Sequence, residues 1–278
     1  MGEPSPSKGA DPSRRGRRPS STRESTLSPT SSPSFPRKRD FPFCTLDPRK
    51  SSVTSLLAVA AARMGRKAGI LDADITGPSI PTFFGLNSFP FGNAHGIEPP
   101  ATRTGIRVIS MNLLLDDPAK PVVWRGPLLG SAVTQFFTDV DWGDLDVLFI
   151  DLPPGTGDAV LTVMQTIPLD GFLLVTSPQE IASLVVRKAA KMAEMLSVPL
   201  AGVLENMSAF ECPGCGERVE IFGPSHSAEL LKDLGAAFWG SLPLDPSLSK
   251  MADGGRIEDY ANGEVFAVLS KGLEGMIL

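Results

Sequence analysis

Two cysteines three positions apart, Cys212-Pro213-Gly214-Cys215, are the residues of this chain best suited to hold a soft metal centre. Thiolates ligate zinc and iron–sulfur clusters, and a Pro-Gly turn lets two of them face one point. They make half of a four-thiolate set, and a second copy of the chain could supply the other half. From spacing alone zinc and iron–sulfur stand level. The third and last cysteine, Cys44, lies far upstream and reads as an incidental thiol. His95 and His226 match no metal spacing and read as loop or surface residues.

A second set of residues suits phosphate and magnesium. Asp72, Asp74 and Asp151 each follow a short apolar run, Ala68–Leu71 or Val147–Ile150. In parallel sheets ligands bind beyond the carboxyl ends of the strands, and a hard cation takes carboxylate oxygens there together with substrate phosphates. An Asp in such a place also caps the helix that follows. Three of them, with Gly155-Thr156-Gly157-Asp158 after Asp151, favour a nucleotide site. The stiff Leu152-Pro153-Pro154-Gly155 turn would aim backbone N–H groups at a phosphate, with Asp158 as helix N-cap.

The elements that must position these residues can be read from the pattern. Ser52–Met64 is helical and stopped by Gly65. Strands are expected at 68–71, 106–111, 147–150, 172–176 and 202–204, as continuous apolar runs of the kind a sheet covered on both faces requires. Helices are expected at 127–138, 159–166 and 180–196, and from His226 a helix, a strand at 237–242 and a closing helix near 263–273. This alternation predicts an α/β fold with a doubly wound, mostly parallel sheet.

Composition bounds the rest. The 278 residues are 42% hydrophobic, contain no apolar run of about 18 residues, and hold too few cysteines for a disulfide framework. A reducing, cytoplasmic setting and no membrane partner follow as expectations. Only 7% of residues are aromatic, which argues against base-stacking platforms. Residues 1–43 hold nine of the 26 Lys/Arg and four of the 31 Asp/Glu, a balance of +5, so the remainder carries −10. An acidic body disfavours nucleic acid as a partner. The domain reading is a disordered Ser/Pro/Arg-rich tail over 1–43 and one domain over 44–278. The tail's Arg and Ser content would suit a targeting peptide, which Glu3, Asp11, Glu24 and Asp40 weaken.

Five segments together resemble the Mrp/ApbC-type iron–sulfur cluster carrier ATPases, of the deviant-Walker P-loop class that includes MinD and ParA. They are Leu71–Pro81, Trp124-Arg125-Gly126-Pro127, Ile150–Asp158, Glu205-Asn206-Met207 and Cys212–Cys215. The likeness runs from about Lys50 to Phe266 and implies a P-loop NTPase fold of the SIMIBI or MinD-like type. It implies ATP binding and hydrolysis with Mg²⁺ in a homodimer that passes a [4Fe–4S] cluster to apo iron–sulfur proteins. It makes Asp74 the residue that positions the attacking water, Asp72 a support of the metal site, Asp151 the Walker B acid that with Ser51 serves Mg²⁺, and Asn206 the partner of adenine. Cys212 and Cys215 would bind a cluster shared across the dimer. Arg125 would be a nucleotide-loop or dimer residue or a structural ion pair, and Gly77-Pro78-Ser79 a switch loop or a tight turn.

The chain departs from the family at its phosphate loop. Where the family has Gly-Lys-Gly-Gly-Val-Gly-Lys-Ser-Thr/Ser, this chain has Cys44-Thr45-Leu46-Asp47-Pro48-Arg49-Lys50-Ser51-Ser52. Lys50, Ser51 and Ser52 keep the last three positions, while every loop glycine and the signature lysine are gone. Side chains at those positions restrict the φ values a phosphate loop uses, Pro48 removes a donor, and Asp47 adds a repelling charge. The expectations are weak ATP binding, residues 1–49 that are not the family's own start (as after a frameshift), and no central strand, since Arg37–Phe43 is charged and broken by Pro42. The alternative functions are a cluster scaffold without hydrolysis and a MinD/ParA-like partitioning ATPase. The short, hardly basic segment Val265–Leu273 speaks against a membrane-surface helix in the latter.

Overall fold

The computed structural model describes residues 2, 41–46, 50–75, 77–93, 96–114 and 126–277. All elements belong to the unit Phe35–Leu278. In chain order they begin with β1 (Phe41–Leu46), α1 (Lys50–Arg63), β2 (Ala68–Asp72), α2 (Ile80–Phe83), β3 (Phe91–Asn93), β4 (Gly96–Glu98) and β5 (Arg107–Ser110). Next come α3 (Gly126–Thr138), β6 (Val147–Asp151), α4 (Asp158–Thr166), β7 (Gly171–Thr176), α5 (Glu180–Met195) and β8 (Leu200–Glu205). The chain ends with β9 (Phe210–Glu211), β10 (Arg218–Val219), α6 (Ser227–Leu234), β11 (Phe238–Ser241), α7 (Pro246–Asp253) and α8 (Gly263–Ile277).

Seven strands form one sheet in the order β11-β8-β7-β1-β6-β2-β5, and every pairing in it is parallel. Side chains alternate between two cores, as the period of two demands. Leu148, Ile150, Phe172 and Leu174 face the helices α3 to α6; Val147, Phe149, Leu173 and Val175 face α1, α7 and α8. The sheet is thus covered on both faces, which explains its continuous apolar strands. The doubly wound α/β class read from the sequence is the observed one.

The expectation of a missing central strand is overturned. β1 lies in the middle of the sheet, paired with β6 over Phe41–Thr45 and with β7 over Phe43–Leu46. Pro42 is tolerated because it is the second residue of the strand, at a level where only β6 flanks it. The strand begins three residues before the expected domain start at 44. Of the residues expected to be a disordered tail, 1 and 3–40 lie outside the described residues, as do Asp47–Arg49, Trp124, Arg125 and His95.

Candidate nucleotide and metal site

The carboxyl ends of β1, β2 and β6 gather the first cluster. α1 starts at Lys50 and runs as a small-residue helix (Leu56–Ala61 are buried), so it packs close against the sheet and sinks its own first turn. Lys50 is only 2% exposed. Its Nζ lies 3.4 Å from Asp74 Oδ2. Ser51 Oγ donates to Asp151 Oδ2 at 2.6 Å, and Thr54 Oγ1 donates to Asp151 Oδ1 at 3.1 Å. Asp72 and Asp151 stand in register across β2 and β6. Asp72 accepts from Ser110 Oγ at 3.1 Å and from the Asp74 N–H at 3.2 Å.

Lys50, Ser51, Asp72, Asp74 and Asp151 are therefore brought together, and Ser52 follows half-buried on the same helix. The electrostatics of the group are unbalanced. Burial, followed by the charge of Asp151, holds the Asp72 carboxyl well above the ordinary carboxylate range. Burial also raises Asp151, against the pull of Lys50 and the hydroxyls of Ser51 and Thr54. Among the described residues three buried carboxyls gather here around the ammonium of Lys50, and Ser51 with Asp151 is a hard-oxygen donor set that fits Mg²⁺. Ser110 and Thr54 were not singled out in the sequence. Thr54 had a signal, because it lies one helical turn after Ser51 and so shares its face.

The loop after β6 turns at Gly155, whose φ of +87° lies in the region that favours glycine. The N-cap of α4 is Gly157, with Asp158 in the first turn, which corrects the expectation of an Asp158 cap. Without a side-chain oxygen over them, the first N–H groups of α4 are left to other acceptors. Gly77 closes a turn on Asp74, its N–H donating to the Asp74 carbonyl at 3.2 Å.

Asn206 sits at the end of β8, two strands from β1 and so about 10 Å sideways. Its N–H donates to the Thr176 carbonyl at 2.7 Å, and its Oδ1 accepts from the Met207 N–H at 3.0 Å. Met207, at φ +61°, swings the chain out of the sheet into the small hairpin of β9 and β10.

Cys212 and Cys215 form the tip of that hairpin. Cys212 N–H donates to the Glu217 carbonyl at 2.9 Å, and Gly216 N–H returns to the Cys212 carbonyl at 2.8 Å. The Cys212 sulfur accepts from the backbone N–H groups of Gly214 and Cys215 and from the Cys215 thiol, which together lower its pKa from the ordinary thiol value. Both cysteines are free thiols, Cys212 half-buried and Cys215 exposed. Among the described residues no group of three or more His, Cys, Asp or Glu is arranged to hold a metal ion. The pair therefore offers two thiolates and an open side. A cleft of about 440 Å³ lies against it, with Glu211, Arg218, Asp245 and Glu264 in its walls.

A profile described as ParA, NUBPL iron-transfer P-loop NTPase, matches residues 49–272. The chain belongs to this family. The iron–sulfur cluster carrier protein of Methanocaldococcus jannaschii is 48% identical over 208 residues, 74% of this chain and 72% of that one. The protein of that name from Clostridium perfringens is 42% identical over 233 residues, 81% and 82% of the two chains. Among solved structures, a nucleotide-binding protein of Archaeoglobus fulgidus in complex with ADP is 43% identical, with a TM-score of 0.71 over 80% of this chain and 89% of that one. The cell-division ATPase MinD of Pyrococcus furiosus is 18% identical, with a TM-score of 0.58 over 84% and 98%, and shares the fold. Among the described residues no helix is long and apolar enough to cross a membrane.

Proposed function

We propose that this chain binds and hydrolyses ATP and carries a [4Fe–4S] cluster to apo iron–sulfur proteins as a homodimer in the cytoplasm, with neither nucleic acid nor membrane as partner. The observation that carries this reading is the placement of the thiol pair. Cys212 and Cys215 leave β8 at the same sheet edge that gathers Lys50, Ser51, Asp74 and Asp151. The names of the relatives and the ADP held by the Archaeoglobus fulgidus protein support it.

In this reading Lys50 exchanges Asp74 for the β- and γ-phosphates. Ser51 and Asp151 hold Mg²⁺, which neutralises phosphate charge. Asp72 supports Asp151 from the neighbouring strand. Once released by Lys50, Asp74 orients the water that attacks the γ-phosphorus, giving ADP and phosphate. Ser52 donates to phosphate oxygens, and Asn206 meets the adenine. The cluster is cargo. Each chain gives it two thiolates, a second copy gives two more, and the exposed tip of the hairpin leaves it within reach of a recipient.

One observation favours a second reading, a scaffold without hydrolysis: residues 44–49 carry no glycine. Anaerobic reconstitution with ferrous iron and sulfide, read beside phosphate release, separates the two. The ATPase reading expects a brown protein with about two iron per chain and phosphate release that Lys50→Ala abolishes. Cluster loading with no phosphate release in the wild type leaves the scaffold. A colourless protein that holds zinc tightly ends both.

A further inference from the structure

Glu205 is a buried acid that the proposed reaction leaves unused. It ends β8 and is 1% exposed. Its Oε2 accepts from the hydroxyls of Ser225 and Ser227, and its Oε1 accepts from Ser241 Oγ at 3.2 Å. Among the described residues these partners are hydroxyls and no ion pair reaches it. Burying a carboxylate without a cation is costly, and an apolar residue would continue the strand at no such cost. What the acid adds is the connection its three hydroxyls make.

Ser225 lies on the returning limb of the excursion 207–226 that carries the cysteine hairpin, Ser227 opens α6 where that limb ends, and Ser241 is in β11. The outgoing limb is tied to the same place. Ser208 N–H donates to the Leu242 carbonyl at 2.9 Å, Leu244 N–H donates to the Ala209 carbonyl at 2.8 Å, and Leu242 N–H donates to the Glu205 carbonyl at 2.7 Å. The returning limb therefore bonds the Glu205 carboxyl group directly, and the outgoing limb is joined to Glu205 through Leu242. The residue after Glu205 is Asn206, locked to Thr176 on one side and to Met207 on the other.

We propose that Glu205 is a positioning residue that ties the nucleotide edge to the cysteine hairpin. When Asn206 is fixed by a purine nucleotide, the hydroxyl clasp on the adjoining side chain holds 207–226, and with it Cys212 and Cys215, in one orientation. A buried polar network with every member satisfied selects one arrangement of the segments it joins. This inference rests on the carrier reading, which supplies the roles of Asn206 and the cysteines.

Hydrogen exchange of the full chain, with and without Mg·ADP, tests it, with bound nucleotide measured separately by calorimetry. In the wild type, bound Mg·ADP should slow exchange across 208–224 by about fivefold or more. Glu205→Ala should bind Mg·ADP within about twofold of the wild type and still load iron and sulfide, yet show no slowing in the hairpin. Ser225→Ala with Ser227→Ala should lose the response with Glu205 in place, which covers the case in which Glu205→Ala fails to fold. Glu205→Gln keeps one carbonyl acceptor and should retain part of the response. A purely structural role would speed exchange equally with and without nucleotide and leave their ratio at the wild-type value; that result overturns the proposal. So does a wild-type hairpin indifferent to bound nucleotide. Failure to bind Mg·ADP at all refutes the nucleotide site and this inference with it, whereas nucleotide binding without iron–sulfide loading refutes only the carrier reading.

Discussion

Asp72 and Asp151 face each other across neighbouring strands with neither side chain open to water, and the folded chain keeps both at some cost. The pH dependence of that cost has a definite sign. The folded pKa of Asp72 lies well above the ordinary 3.8, so the folded chain holds a proton that the unfolded chain gives up. Its contribution to stability therefore falls as pH rises from about 4 through the folded pKa. Asp72→Asn removes the titration, and its amide can donate to the Ser110 oxygen. We expect the variant without nucleotide to match the wild type below about pH 4 and to become progressively more stable than it as the pH rises above that, read by denaturant unfolding at a series of pH values. An advantage that is constant with pH would show that Asp72 is not the titrating group. Cys212 titrates in the opposite direction. Backbone N–H groups favour its thiolate, so alkylation by iodoacetamide at Cys212 should set in at a lower pH than for a free cysteine, and mass mapping of the 212–215 peptide reads it.

At the scale of the elements, legibility in the sequence followed burial. Strands β6 and β7 are buried on both faces and read directly as Val147–Ile150 and Phe172–Thr176, and α1 reads through its small apolar residues. β1 did not read, because its pattern Phe-Pro-Phe-Cys-Thr-Leu carries a proline at its second position and follows a charged run. The partners that hold it, β6 and β7, lie about a hundred residues away or more, and no local window contains them. The β9–β10 hairpin has two residues per strand, too few for any period to show. α7 was missed although a signal was present: Asp245 caps it through the Ser247 N–H, and Pro246 takes the first position. The site showed the same division. Asp72, Asp74 and Asp151 stand out at strand ends, while the serines around Glu205 come from a loop, the start of α6 and the end of β11, and nothing groups them until the fold collects them. α8 also carries a test of packing. Gly272 lies against the Trp239 ring, and a methyl placed there would overlap it. Gly272→Ala gains about 1 kcal/mol of helix propensity but incurs about 1–3 kcal/mol of overpacking. With the ring wedged between Gly272 and Gly202, which leaves it no room to retreat, we expect a net loss, read as a lowered Tm.

The whole molecule sets the terms on which two copies can meet. Each chain carries a net charge of −5, and two of them repel at neutral pH. In the proposed reading a cluster drawing thiolates from both chains acts against that repulsion, together with the apolar side chains of Val219 and Ile221, which lie 43% and 51% exposed just beyond the cysteine tip. Pairing at the hairpin would cover them. We therefore expect the apo chain to be a monomer and the loaded chain a dimer with about two iron per protomer, with chelation of the iron restoring the monomer in light-scattering chromatography. Charge gives this dimer an unusual salt response. Raising ionic strength from about 50 to 300 mM shortens the range of the repulsion and should strengthen the cluster-bridged dimer, where an assembly held by ion pairs would weaken. Val219→Glu with Ile221→Glu should loosen the dimer and steepen that salt response while leaving nucleotide affinity unchanged. A chain that stays monomeric at full iron and sulfide load would show that one protomer completes the ligand set by itself, and the shared cluster would have to be given up.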